Sequence, residues 1–112
     1  MGPAMLEPPA SPTAAEEINL LRPMAARLIW WEQAEQALRR PERVIAQVME
    51  IGDFDTVLQV RRSLGDARLA QVLQRAEAGW FSPRSWTTWH RKLGVTPTGP
   101  VPPLPLRRVR GG

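Results

Sequence analysis

The chain of 112 residues contains no cysteine and no tyrosine, and it has only one histidine and one lysine. Without cysteine there is no disulfide to staple a small secreted scaffold and no thiolate for redox or metal chemistry. No apolar run approaches the roughly 20 residues of a membrane-spanning helix. The stretch 1–12 has neither a basic residue nor an apolar segment, so it does not read as a secretory signal, and the expected location is the cytoplasm. His90 has no second histidine or cysteine to complete a zinc site. It sits among tryptophans, where a lone imidazole is expected to pack rather than to act as a general base. No glycine-rich phosphate loop is present. Asp53 and Asp55 look like a carboxylate pair, but both fall at a helix start, where capping and the helix dipole account for them. The expectation is a non-catalytic protein with no cofactor, no metal and no small-molecule substrate.

What the chain does have is proline at both ends, glycine at regular intervals and an uneven charge. Residues 1–20 carry a net charge of −3, residues 21–60 of −1 and residues 61–112 of +8. Residues 1–17 hold little that could be buried and are expected to be disordered. Residues 95–112 form an extended tail rich in proline and arginine. The domain is therefore expected over residues 18–94. Within it, Gly52, Gly65, Gly79 and Gly94 each close an apolar-periodic segment, as a glycine does just after a helix. Asp53, Asp66 and Ser82 follow as helix starts.

Four segments repeat apolar residues at the helical spacing. The expected inner faces are Val44, Val48 and Ile51; Phe54, Val57, Val60 and Leu64; Leu69, Val72, Leu73 and Ala76; and Trp86, Trp89, His90 and Leu93. A further helix is expected over much of 32–39. The run Leu28-Ile29-Trp30-Trp31 is apolar on every side and reads either as wholly buried or as a short extended plug. No segment alternates like a strand. The expected fold is all-α, a compact bundle of four to five short helices with a helix-turn-helix-like C-terminal pair and extended proline-rich tails.

Residues 79–94 concentrate three of the five tryptophans with the single histidine and the single lysine. Trp86 and Trp89 share a side with Leu93 and are expected in the core, leaving Trp80 and Trp30 as the more exposed tryptophans. Arg84, Thr88 and Arg91 stand opposite the apolar stripe, flanked by Thr87 and Lys92. Such a face suits a major groove, with Arg84 at a guanine edge and the threonines at thymine methyls or phosphates. The preceding helix and the turn at 79–81 complete a helix-turn-helix outline. Arg75 stands where that motif places a small residue, however, and Ser85 and Thr88 where it places apolar ones. Farther on, Pro102-Pro103-Leu104-Pro105-Leu106-Arg107 has the spacing of a proline-rich peptide ligand. A tail ordered against the domain or a partner is the preferred reading. Arg107, Arg108 and Arg110 add charge at its end.

Two blocks, the run from Arg43 to Phe54 (Arg-Val-Ile-Ala-Gln-Val-Met-Glu-Ile-Gly-Asp-Phe) and the run from Trp80 to Gly94 with its Phe81-Ser82-Pro83, Thr88-Trp89 and Leu93-Gly94, together resemble a family of small bacterial proteins of unknown function. Members of that family are often encoded beside an AbiE-type nucleotidyltransferase toxin. The resemblance spans roughly residues 28–94. It implies an antitoxin-like binding module that neutralises or accompanies a nucleotidyltransferase toxin, and it carries no catalytic residue. The expected contacts with the toxin, or with double-stranded DNA in the alternative reading as a regulator of its own operon, are Arg84, Thr87, Thr88, Arg91, Lys92, Arg107, Arg108 and Arg110. Trp80 and Leu104 are expected to serve as apolar anchors.

Overall fold

In the computed structural model, residues 12–106 are described. They form six helices and no strand: α1 (Ala14–Leu28), α2 (Ala34–Ala37), α3 (Pro41–Ile51), α4 (Phe54–Leu64), α5 (Asp66–Gln74) and α6 (Pro83–Lys92). The architecture is all-helical, as expected. The count exceeds the expected four to five because 32–39 yields only the single turn α2, while the less legible stretch before it yields α1, the longest helix.

α1 begins at Ala14, inside the segment 1–17 expected to be disordered. The reason is local. Thr13 and Glu16 form a reciprocal capping box, in which the Thr13 hydroxyl accepts from the Glu16 N–H and the Glu16 carboxylate accepts from the Thr13 N–H. Pro23 lies inside α1 and removes one backbone bond, a defect of about 3 kcal/mol. Burial of Leu21, Met24 and Ala25 outweighs it, since each large side chain contributes about 1.5–3 kcal/mol.

α3 is the central element. Every residue from Val44 to Met49 is buried, and the helix packs against α1, α2, α4 and α5. Val60 and Leu64 from α4, with Leu69, Val72 and Leu73 from α5, complete the core on that side. A helix buried almost all round needs its polar group satisfied. Gln47 donates to the Leu28 carbonyl at 3.3 Å and accepts from Arg43 at 3.2 Å.

Two glycines close helices for different reasons. Gly65 ends α4 at φ 88°, a conformation that favours glycine. Gly52 ends α3 at an ordinary φ of −67°, but a Cβ there would stand 2.6 Å from the Val48 carbonyl oxygen. Of the helix-start residues, Asp53 and Ser82 are N-caps, accepting from the N–H groups of Thr56 and Ser85. Asp66 is instead the first residue of α5, and its carboxylate takes the Arg61 guanidinium at 2.7 and 2.8 Å.

Three expectations about the core are corrected. Ile51 and Phe54 are exposed, although both fall on the apolar stripes of their helices. Ile51 is the last residue of α3 and Phe54 the first of α4, so both lie at the turn between the two helices. Trp80, expected outside, is only 6% exposed. It precedes α6 in the turn and is covered by the Arg40 and Arg43 guanidinium groups, 5.9 and 5.7 Å from its ring.

Candidate cationic face on the last helix

α6 is capped by Ser82 and begins with Pro83, the arrangement that suits a helix N-terminus. Trp86, Trp89 and His90 are turned inward, as the spacing predicts. The Trp89 indole N–H donates to the Met49 carbonyl at 3.0 Å, which pins α6 to α3. Phe81 and Trp86 meet at 5.9 Å, and Trp86 meets the His90 ring at 4.5 Å. His90 is buried. Its Nδ1 pairs with the Thr96 hydroxyl at 3.0 Å, and its Nε2 has no partner among the described residues. Burial, and then the neighbouring Arg91 charge, push its pKa below the ordinary value.

The other side of α6 faces solvent. Arg84, Thr87, Thr88, Arg91 and Lys92 are all exposed. No acidic residue follows Glu77 in the sequence, so no carboxylate from this segment neutralises the face. Arg84 and Lys92 make no ion pair among the described residues. Lys92 lies over the Trp89 ring at 5.1 Å, a contact that holds the ammonium on apolar surface without discharging it. Arg84, Thr88 and Lys92 line a shallow groove with Phe54 and Val57 of α4. Phe54 is 78% exposed beside them. The periodicity of α4 counted Phe54 toward the core, so the sequence carries no signal for this outward position.

Arg91 occupies a different place. Its guanidinium donates to the carbonyls of Thr96 and Gly99, the first at 2.9 Å. The tail is thereby folded back on α6. The Trp86 indole N–H donates to the Pro102 carbonyl at 2.7 Å, and Val95, Val101 and Leu104 pack against the core. The tail over 95–106 is therefore ordered against the domain, and Leu104 is half-buried there rather than offered as an anchor. Trp80 is likewise inside. Arg107, Arg108 and Arg110 lie outside the described residues.

The N-terminal end of α6 is already occupied. The Glu50 carboxylate accepts from the Ser82 N–H at 3.1 Å, and the Ser82 hydroxyl accepts from the Ser85 N–H at 3.2 Å. Residues 75–82 join α5 to α6, a longer connection than the roughly three to four residues of a DNA-reading helix-turn-helix. The pair shares that motif's order but not its tight turn.

Among the described residues, no three His, Cys, Asp or Glu side chains gather to hold a metal ion, and no helix is long and apolar enough to cross a membrane. Compared with known proteins, the chain matches no family model, no curated protein and no solved structure.

Proposed function

We propose that the protein is a non-catalytic binding module, an antitoxin-like partner of a nucleotidyltransferase-type toxin, and that it meets this partner through the outer face of α6. One observation carries the reading. Arg84 and Lys92, without an ion pair among the described residues, stand beside an exposed Phe54 on a helix held from behind by two buried indoles. Charge at the rim with an aromatic at the centre is the composition of a protein interface. A partner surface with a carboxylate-lined cleft complements it, because guanidinium and ammonium groups then stand where a nucleotide's counter-ions otherwise sit. Rigid support from Trp86 and Trp89 lowers the entropy lost on docking.

Co-expression with any nucleotidyltransferase encoded beside this gene tests the proposal. Growth should be restored by the wild-type chain and not by the double variant Arg84→Glu, Lys92→Glu, whose helicity should be unchanged. Persistent growth arrest with the wild-type chain present would sink the antitoxin reading.

The exposed series Arg84, Thr87 and Thr88 favours a second reading, a regulator that binds duplex DNA at its own operon. The Glu50 carboxylate beside Ser82 works against it, since it puts negative charge where a phosphate would approach. That reading requires steeply salt-dependent binding to the promoter region, lost in Arg84→Ala.

A further inference from the structure

The turn between α1 and α2 exposes two adjacent tryptophans. Ile29 closes α1 and enters the core. Trp30 and Trp31 turn outward, 75% and 49% exposed, with their rings edge to face at 4.9 Å. The Arg43 guanidinium stands 5.5 Å from the Trp31 ring and 5.7 Å from the Trp80 ring, and Arg40 lies over Trp80 as well. The groups run indole, indole, guanidinium, indole, guanidinium, from Trp30 in water to Arg40 at the far edge. Trp31, Arg39, Arg40 and Arg43 line one shallow cavity together with Glu32 and Gln36. The groove beside α6 shares none of these residues.

The fold does not account for this arrangement. An indole left in water forfeits the largest apolar contribution a side chain can make, and here two neighbours do so together. Arg43 is half-buried yet has no carboxylate at ion-pair distance among the described residues. Burial, followed by the neighbouring Arg40 charge, pushes its pKa down. Arg40 itself pairs with Glu77 at 3.0 Å, and Arg39 makes no ion pair among the described residues. Two guanidinium groups over one indole repel each other; Glu77 on Arg40 offsets part of that repulsion, and Arg39 and Arg43 are left without an ion pair among the described residues.

A ligand that satisfies both features carries flat π-faces and negative charges in alternation. An acidic peptide would meet the arginines and leave the indoles wet. An apolar segment would cover the indoles and strand the cations. A duplex stacks its base faces internally. A single strand presents free bases for indoles and phosphates for guanidinium groups. We propose that the α1–α2 turn is a stacking site for single-stranded polynucleotide, with bases on Trp30 and Trp31 and phosphates on Arg39, Arg40 and Arg43. Glu32 in the same cavity is the one carboxylate there, and it disfavours a phosphate on its side of Trp31.

Fluorescence anisotropy with a short labelled oligothymidylate, and in parallel the matching oligouridylate, tests this on the full chain. Binding should be measurable at low salt and should weaken as salt rises. Trp30→Ala and Trp31→Ala should each reduce affinity between about fivefold and a hundredfold, and Trp31→Phe should retain most of it. Arg84→Ala should leave affinity unchanged, which separates this site from the face of α6. An unlabelled duplex should compete poorly. Trp30 is mostly in water, so its removal leaves the fold intact, and an unchanged melting temperature verifies that. The site is refuted if neither oligonucleotide binds at low salt, if binding survives Trp30→Ala and Trp31→Ala, or if the duplex competes as well as the single strand.

Discussion

Trp89 holds α6 in place by three kinds of contact. Its ring is buried, its N–H donates to the Met49 carbonyl, and Arg61 and Lys92 lie over it at 5.9 and 5.1 Å. Trp89→Phe keeps the ring but strands that carbonyl, and should cost about 1–3 kcal/mol in chemical denaturation. Trp89→Ala adds a cavity and should cost about 3–5 kcal/mol. His90 contributes a pH dependence. Its folded pKa lies below the ordinary 6.5, so between the two values the folded protein binds fewer protons than the unfolded chain. Stability from this residue is therefore complete above about pH 6.5 and is lost as pH falls through the folded value. Melting temperature measured from about pH 5 to about pH 8 should drop on the acid side, and His90→Gln should flatten that drop. The inward placement of Trp86, Trp89 and His90 was legible, because their spacing admits one buried helical face. The burial of Trp80 was not. It lies in a turn, where no periodicity speaks, and its cover comes from arginines some 40 positions earlier in the chain.

At the level of elements, α6 and the tail behave as one unit. Arg91 ties the Thr96 and Gly99 carbonyls to the helix, Trp86 ties Pro102, and the Thr96 N–H donates to the His90 carbonyl at 3.1 Å. Arg91→Ala should loosen the segment 95–101 without unfolding the helices. Hydrogen exchange should rise at the amide of Thr96, which donates to the His90 carbonyl, while amides within α3 keep their protection. Equal loss of protection in α3 would show the tail to be integral to the core. Composition marked 95–112 as an extended tail, and burial of Val95, Val101 and Leu104 decided that its described part, 95–106, lies on the domain. The element before α2 was the hardest to read. Pro23 and the all-apolar run 28–31 both argue against a continuous helix, yet the Thr13–Glu16 capping box opens one. That box was readable in the sequence at its Thr-x-x-Glu spacing.

Across the whole molecule, distant segments converge on Arg68. Its guanidinium takes the Glu17 carboxylate of α1 at 2.8 and 3.1 Å, and Glu42 of α3 at 2.7 Å. Arg75 shares Glu42 at 2.8 Å. These arginine bonds hold the Glu42 carboxyl below its ordinary range despite the opposing effect of burial, and Glu17 in turn raises Arg68. Arg68→Ala should cost about 1–3 kcal/mol in urea denaturation, because it leaves two partly buried carboxylates without their shared partner. Arg68→Lys should recover only part, since an ammonium cannot bridge both carboxylates in the same forked geometry. Charge, composition and helical period by themselves determined an all-helical domain, its α3 to α6 segments, the inward tryptophans of α6 and the outward cations beside them. These follow from neighbours three or four residues apart, which the order of the chain specifies directly. Only the tertiary structure decided that Phe54 and Trp31 stand in solvent beside the expected Trp30, that Trp80 is covered, and that Arg91 is committed to the tail while Arg84 has no ion pair among the described residues. Each of those depends on which distant segment arrives beside the residue, and apolar burial decides that for the chain as a whole.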